Sequence, residues 1–304
     1  MTSQWWELLE QIERHPGLTF VLGAAHSGKS TLAKFLVTRI SQRRHVTAYL
    51  DGDMGQSTLG PPAALNLALL QYPFEPTREP LENKDALVVA RYFIGSNAPG
   101  GHFLPLLVGL RKLTQRARQL GAEMVILDST GFVSGGAARE LKFQKIDLLS
   151  PQHLVALQHA GELEPILQPL EGRPGMRIHR LPVHPLARPK TLEERQANRS
   201  HKYSEYFRGR RLAGFNLQKI RVIGNASPLE TYSSSACADL KGLLVGLNDA
   251  ENFTLGMGIL SHLDPRKGKI TLWTPLSPLS GVRILRLGAL KLDSSWRDHS
   301  WRPY

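Results

Sequence analysis

Short apolar runs alternate with longer segments of helical spacing up to about residue 186. The runs at 18–22, 45–50 and 124–127 carry few polar residues, which is typical of strands buried on both faces of a parallel sheet. Segments such as 31–37 and 103–120 repeat their apolar residues every three or four positions, as amphipathic helices do. The alternation predicts an α/β fold with a doubly wound, mostly parallel sheet.

Beyond residue 186 the pattern changes. Thr191 is followed three positions later by Glu194, a capping-box spacing that predicts a helix running to about Tyr206. After Gly214, short apolar runs are separated by Gly, Asn, Asp and Pro, which predicts a small β-rich domain. We therefore predict a first domain at 1–186, which begins with a short helix, a basic segment at 187–213 and a β-rich C-terminal domain at 214–304.

A glycine-rich loop separates the first predicted strand from the helix that follows it. Residues 23–31 read GAAHSGKST and fit the P-loop pattern G-x-x-x-x-G-K-[ST]. Such a loop turns successive backbone N–H groups toward phosphate oxygens at a helix N-terminus. The alternative is a glycine turn with only a structural role. The predicted nucleotide-binding residues are Gly23, Ala24, Ala25, His26, Ser27, Gly28, Lys29, Ser30 and Thr31, with Lys29 reaching the β- and γ-phosphates and Ser30 ligating Mg²⁺.

Aspartates end two of the predicted strands. Asp51 and Asp53 close the strand that follows the P-loop helix, at the sheet edge where open α/β sheets bind ligands. A Gly-Gln turn directly follows Asp53, which favours it as the base that takes a proton from an acceptor hydroxyl, and Asp51 then orients water around the metal. Asp128, at the end of another strand, is a rival ligand for Mg²⁺. Alternatively, Asp51 and Asp53 only cap the next turn.

The composition excludes several classes of protein. Hydrophobic residues make up 41% and charged residues 21% of the 304 positions, which is typical of a globular chain and not of a disordered one. The single cysteine, Cys237, excludes an intramolecular disulfide and favours a reducing compartment. No apolar run approaches the roughly 18 residues that span a bilayer. We therefore expect a cytoplasmic protein without membrane contact.

The net charge of +12 is concentrated in one stretch of the chain. Between residues 188 and 221 there are ten Lys or Arg against three acids, an excess that indicates contact with phosphates or nucleic acid. Arg195 and Arg199 lie four positions apart, on one face of the predicted helix. Because the arginine fork binds two phosphate oxygens at once, we predict a basic lid over a phosphoryl-transfer site. The alternative is an exposed amphipathic helix.

Taken in order, these elements resemble the P-loop polynucleotide 5′-hydroxyl kinases, the family of the RNA kinases of pre-mRNA cleavage, tRNA splicing and pre-ribosomal RNA processing with their archaeal and bacterial relatives. The family's D-x-D-x-G-Q element resembles residues 51–56, its F-x-G-x-x-x-P segment 93–99, its T-x-G-W clasp 129–132 and its R-x-x-x-R lid 195–199. One departure is Phe132, which stands where the family has tryptophan and offers a smaller ring for stacking on a base.

The resemblance implies a P-loop NTPase fold with a helical lid, and transfer of the γ-phosphate of ATP, or of another nucleoside triphosphate, to the 5′-hydroxyl of single-stranded RNA or DNA. The alternatives are an ATP-binding nucleic-acid-processing module without kinase activity and a kinase of a small nucleoside or metabolite. The implied site residues are Lys29, Asp53, Arg195 and Arg199 for catalysis, Ser30, Asp51 and Asp128 for Mg²⁺, and Gln56, Ser96, Asn97, Ser129 and Phe132 for the nucleic acid.

Overall fold

The computed structural model describes residues 3–43, 45–70, 88–185, 187–224, 237 and 239–301; residue 186, the predicted domain boundary, lies outside these ranges. The elements of the first part are α1 (Ser3–Arg14), β1 (Leu18–Gly23), α2 (Lys29–Gln42), β2 (Thr47–Gly52), β3 (Ala64–Leu70), β4 (Val88–Phe93), α3 (Phe103–Gln119), β5 (Met124–Ser129), α4 (Gly136–Leu149), β6 (His153–Gln158), α5 (Glu164–Leu167) and β7 (Arg177–Pro182).

The first sheet has seven strands in the order β4-β3-β2-β5-β1-β6-β7. Five neighbouring strands, β2, β5, β1, β6 and β7, are parallel. Strands β3 and β4 extend the sheet beside β2 and are antiparallel. Helices α1 and α2 cover one face, and α3 and α4 cover the other. The predicted doubly wound, mostly parallel sheet is therefore confirmed. Its core strands read as continuous apolar runs because both faces are buried.

Strand register brings the predicted chemistry to one edge of this sheet. Asp51 on β2 pairs with Asp128 on β5, and Asp128 pairs with Val21 on β1, two residues before the first P-loop glycine. Parallel strands present their carboxyl ends at the same edge, so the P-loop, Asp53 and Asp128 converge there.

A second sheet follows in the chain and is antiparallel along its main path. Its order is β14-β13-β10-β11-β12-β8, and β9 pairs in parallel with β13. The predicted β-rich C-terminal region is confirmed, with its first strand beginning at Arg211. The strands are β8 (Arg211–Asn216), β9 (Arg221–Ile223), β10 (Leu243–Asn248), β11 (Thr254–Asp264), β12 (Lys269–Thr274), β13 (Ile284–Leu292) and β14 (Asp298–Ser300).

Helix α6 (Leu192–Tyr206) joins the two sheets and packs against both. The predicted capping box is present: the Thr191 hydroxyl accepts a hydrogen bond from the Glu194 backbone, and the Glu194 carboxylate accepts one from the Thr191 backbone. At the other end, Tyr203 is buried with Phe93 of the first sheet and Met257 of the second. This packing fixes α6 in the space between the sheets, beside the P-loop. None of the helices in the described ranges is long and apolar enough to cross a bilayer.

Candidate active site

The P-loop adopts a phosphate-cradling turn. His26 and Gly28 have left-handed backbone conformations, with φ of 66° and 88°. A Cβ on Gly23 would lie 2.3 Å from the Ser27 hydroxyl, so the first glycine is required for the tight turn. Lys29 is buried, and its Nζ donates to the Ala24 carbonyl at 2.6 Å, which holds the ammonium over the loop.

A cavity of about 680 Å³ opens beside this loop, which is a size that suits a nucleotide. It is enclosed by the P-loop, the turn after Asp53, helix α6 and four residues before that helix, namely His184, Ala187, Arg188 and Lys190. Its lining includes His26, Lys29, Ser30, Gln56, Ser57, Arg188, Lys190, Asn198 and Lys202. Four of these nine side chains are lysine or arginine and none is acidic, so the cavity is suited to a polyanion.

Asp128 lies at the floor of the site. The Tyr49 hydroxyl donates to its Oδ2 at 3.1 Å, and within the described ranges its Oδ1 is buried without a hydrogen bond of normal geometry. Burial raises the pKa of Asp128 to about 6, and Asp51 adds to the rise, while the nearby Ser30 hydroxyl and Lys29 oppose it. A buried carboxylate oxygen beside the P-loop serine is suited to bind a divalent cation.

Asp51 serves the turn that follows it. Its Oδ2 accepts from the Ser57 hydroxyl at 2.7 Å and from the Leu59 backbone at 2.9 Å, and Oδ1 accepts from the Asp53 backbone at 3.3 Å. Burial raises its pKa, and these hydrogen bonds oppose the rise. Both oxygens are engaged by protein donors, so Asp51 shapes the loop, and its role beside a metal stays a prediction.

Asp53 sits half-buried at the start of the same turn. Its Oδ1 accepts from the backbone N–H groups of Gly55 and Gln56, both at 3.0 Å. These bonds fix the carboxylate at the edge of the sheet, within electrostatic reach of Lys29. Proximity to Lys29 is the arrangement expected of a base that acts beside a bound triphosphate.

The Asp53 turn and the P-loop both contact helix α6. Gln56 donates to the Arg195 carbonyl at 3.2 Å and accepts from the Asn198 amide at 3.0 Å. The Arg195 guanidinium hydrogen-bonds the His26 ring of the P-loop. Burial lowers the pKa of His26, and Arg195 and Lys190 lower it further, which keeps the ring neutral and able to accept. The structure therefore brings Arg195 to the phosphate loop.

Arg199, the second predicted lid arginine, points elsewhere. Its Nε donates to Asp298 on β14 at 2.9 Å, in an ion pair whose side chains are 15% and 1% exposed. Among the described residues, the cavity lining includes neither Arg199 nor Arg195. The prediction that Arg199 faces a phosphate is not matched here, because a buried carboxylate already holds its guanidinium.

The predicted nucleic-acid residues are mostly engaged inside the protein. Ser96 accepts from the Ala98 backbone at 3.2 Å, and the Asn97 amide donates to Asp298. Ser129 is a correction: it is fully buried and donates to the Val21 carbonyl at 2.8 Å, so a substrate does not reach it. Phe132 packs beside Phe103 and is partly exposed, and its contact with a base stays a prediction.

Two buried lysines were missed in the sequence. Lys142 donates to the Ser129 hydroxyl at 2.9 Å and to the Thr130 carbonyl at 2.6 Å, and it thereby supports the segment after Asp128. Lys145, one turn later, is 1% exposed, and burial lowers its pKa to about 7 while Asp53 opposes the shift. Both lie on the buried stripe of α4 with Leu141, Ile146 and Leu149. Their position within the apolar stripe of a helix is the sequence signal by which these two lysines could have been identified.

Comparison with known proteins agrees with this geometry. The family model described as mRNA cleavage and polyadenylation factor CLP1 P-loop matches residues 23–209. A polyribonucleotide 5′-hydroxyl-kinase of Thermococcus kodakarensis is 30% identical, over 96% of this chain and 93% of its own. Another from Methanocaldococcus jannaschii is 29% identical, over 91% and 88%.

Among solved structures, a chain in the wild-type Clp1p–Pcf11p complex matches with a TM-score of 0.69 at 12% identity, over 94% of this chain and 78% of its own. That likeness concerns the fold. The family match covers the P-loop, the aspartate turn and the lid helix, which are the elements that enclose the cavity, and a loop of this kind binds a nucleotide. The chain therefore belongs to the CLP1 P-loop family.

Proposed function

We propose that this protein is an ATP-dependent polynucleotide 5′-hydroxyl kinase. The observation that carries the proposal is the convergence of a P-loop and a carboxylate, Asp53, at the carboxyl edge of one parallel sheet. A hydrolase needs water at that point, whereas a kinase needs a base beside the γ-phosphate and room for an alcohol. The activity named for the archaeal relatives is the same chemistry.

The reaction is transfer of one phosphoryl group. The 5′-oxygen of the acceptor attacks the γ-phosphorus of ATP, its proton passes to the Asp53 carboxylate, and the bond between phosphorus and the β,γ-bridging oxygen breaks to release ADP. Lys29 stabilises the charge that develops on the phosphates. Arg195, bound to His26 of the P-loop, is the lid arginine placed to approach the transferred group.

Mg²⁺ fits the residues present. The Asp128 carboxylate has a buried oxygen without a hydrogen bond of normal geometry to any described residue, and the Ser30 hydroxyl lies beside it. We assign Ser30 and Asp128 to the ion, directly or through water, and Asp51 to the turn that carries Asp53. When bound, Mg²⁺ neutralises phosphate charge and so assists the departure of ADP.

The acceptor is a single-stranded 5′ end of RNA or DNA. Exposed Arg208, Arg210 and Arg211 follow helix α6 and extend the positive charge away from the cavity, where a strand's phosphates would lie. The accessible part of the Phe132 ring would stack on the terminal base. The single cysteine, Cys237, supports a reducing compartment such as the cytoplasm.

The test is a phosphoryl-transfer assay with γ-labelled ATP and MgCl₂. The acceptors are matched RNA and DNA oligonucleotides with a 5′-hydroxyl, the same strands with a 5′-phosphate, and a free nucleoside. We expect label only on the 5′-hydroxyl strands. Asp53→Asn should lose the label, and Asp147→Asn, which changes an exposed carboxylate on α4, should keep it.

The other outcomes identify the alternatives. Labelling of the nucleoside as readily as of the strand would indicate a small-molecule kinase. ATP binding without label on any acceptor would indicate a nucleic-acid-processing module that uses ATP for another purpose. Either result overturns the proposed kinase.

A further inference from the structure

Asp298 is a buried carboxylate outside the segment that the family model matches. Asp298 is the first residue of β14 and pairs with Leu292 of β13, and its side chain is 1% exposed. Its Oδ1 accepts from Arg199 Nε at 2.9 Å and from Gln196 Nε2 at 2.6 Å, and its Oδ2 accepts from the Asn97 amide. One side chain of the second sheet therefore binds two separate elements beside the site.

The first of these elements is the loop that follows β4. The Asn97 carbonyl packs so closely on Gly55 that a Cβ there would lie 2.5 Å from the oxygen. Gly55 also donates its N–H to Asp53. Contacts thus run without a break from Asp298 through Asn97 and Gly55 to the proposed base.

The second element is the lid helix α6. Arg199 and Gln196 bind Asp298 from one side of the helix, and Arg199 also donates to Gln196 at 2.7 Å, which closes a three-residue ring. From the other side, Gln56 bonds the Arg195 carbonyl and the Asn198 amide. The helix is held between the turn that carries Asp53 and the carboxylate of Asp298.

We propose that Asp298 is a positioning residue for phosphoryl transfer, which holds the lid helix and the Asn97 loop in fixed register with Asp53. The inference rests on the proposed kinase function. It assigns Arg199 to this linkage and leaves Arg195 as the arginine that serves the phosphates. Asp298 acts through Asn97, Gln196 and Arg199 and does not touch the reacting atoms.

The Asp298 carboxylate accepts each of the three hydrogen bonds named and places its charge opposite Arg199. Asparagine has almost the same shape, yet it removes the charge opposite Arg199 and can direct an NH₂ group at other N–H donors. Loss of one partner of a buried ion pair leaves the other charge uncompensated. Asp298→Asn should therefore release both elements with little change in volume.

The first experiment compares steady-state kinetics of Asp298→Asn with those of Asp239→Asn. Asp239 is the control because its carboxylate is also held by two side-chain donors, Lys291 and Trp301, away from the lid helix, although its side chain is 46% exposed. We expect Asp298→Asn to lower kcat about 10²-fold, since small displacements of a reacting group have effects of that order. KM for the strand should rise and KM for ATP should stay the same, and the control should match wild type.

A milder variant covers the case in which Asp298→Asn folds poorly. Gln196→Ala removes one donor from the ring on a surface-accessible helix and leaves the Arg199 ion pair in place. Gln196→Ala should lower kcat and raise the KM for the strand, each by about tenfold.

A double variant tests whether Asp298 and Asn97 act through one linkage. When Asp298→Asn and Asn97→Ala are combined, their effects should be less than additive, because both break the same linkage.

Hydrogen exchange tests the linkage without reference to activity. In Asp298→Asn, exchange should speed up both in residues 192–206 and in residues 95–102, and Asp239→Asn should leave both unchanged. Faster exchange confined to β14, or a lower kcat with both KM values unaltered, would overturn the inference. If wild type transfers no phosphate, the proposed function fails while the exchange result still decides the role of Asp298.

Discussion

The nucleotide side and the acceptor side of the site are constructed differently. The phosphate cradle on the nucleotide side is a single stretch, residues 23–31, that leads from the end of β1 into the start of α2. The acceptor side combines the Asp53 turn, the Asn97 loop, helix α6 and Asp298, and its hydrogen bonds join residues up to 201 positions apart. Local geometry therefore forms the phosphate cradle, whereas placing the acceptor depends on packing between two sheets.

The sharpest test of this division replaces one residue on each side. Asp53→Asn should lower kcat by about 10²–10⁴-fold, the usual contribution of a general base, and leave ATP affinity unchanged. Lys29→Ala should lower kcat and also weaken ATP binding, because its ammonium belongs to the phosphate loop. Turnover assays and ATP titration calorimetry provide both quantities. Near-normal turnover in Asp53→Asn would remove it as the base.

Lys145, buried on α4 within electrostatic reach of Asp53, should carry a cost in stability. The pKa of buried Lys145 is lowered from 10.5 to about 7, mainly by desolvation. Between these values the unfolded chain binds more protons than the native one, so the Lys145 contribution to stability rises with pH through this range. At pH 7, Lys145→Met should raise the free energy of unfolding by on the order of 4 kcal/mol.

The gain from Lys145→Met should shrink as the pH rises toward 10.5 and vanish well above it, where both states hold a neutral amine. Urea unfolding at pH 7 and pH 10 measures it, and Arg139→Met, on the exposed side of α4, is the control. A gain that is independent of pH would indicate a packing effect in place of the buried charge.

Gly55 tests how tightly the Asn97 loop fits the Asp53 turn. A Cβ at this position would lie 2.5 Å from the Asn97 carbonyl, so Gly55→Ala should displace the loop. We expect strand KM to rise about tenfold with ATP KM unchanged, since overpacking costs about 1–3 kcal/mol. Gly136→Ala, where a Cβ meets no atom within 4 Å, is the control. Equal kinetics for the two variants would contradict the close fit.

The smallest expected effect concerns the reach of the acceptor surface beyond the lid. Arg208 is exposed just after α6. Arg208→Ala should weaken binding of the strand. The slope of log K for strand binding against log salt concentration should become shallower by about 0.7, which is the change expected for the loss of one phosphate contact. Fluorescence anisotropy over a salt series measures the slope. Lys267→Ala, in the turn between β11 and β12, is the control. An unchanged slope would place the strand's path elsewhere.

The parts of the site that sequence reasoning identified are those that depend on local rules. The P-loop follows from nine consecutive residues, and the start of α6 follows from Thr191 and Glu194. The positions of Asp53 and Asp128 follow from their place after apolar strands. Parallel strands end at the same edge of the sheet in whatever order they lie, so strand order need not be known.

The motifs predict catalysis for Arg199 and nucleic-acid contact for Ser129, because motif spacing reports which residues share a helix face or a loop and not which partner packs against them from a distant element. Lys142 of helix α4 donates to the Ser129 hydroxyl at the end of β5, and Asp298 of the second sheet accepts from Arg199 of helix α6. Buried polar groups must be satisfied, and the partner that satisfies each is fixed only when the elements pack.

The sequence by itself determined the sheet class, the phosphate loop and the strand-end carboxylates, because periodicity and backbone turns act over a few residues. The tertiary structure decided which arginine faces the P-loop, which aspartate shapes a turn and which side chain holds the lid. Those choices depend on burial and on hydrogen-bond partners from remote parts of the chain, and only packing of the two sheets around α6 brings them within reach.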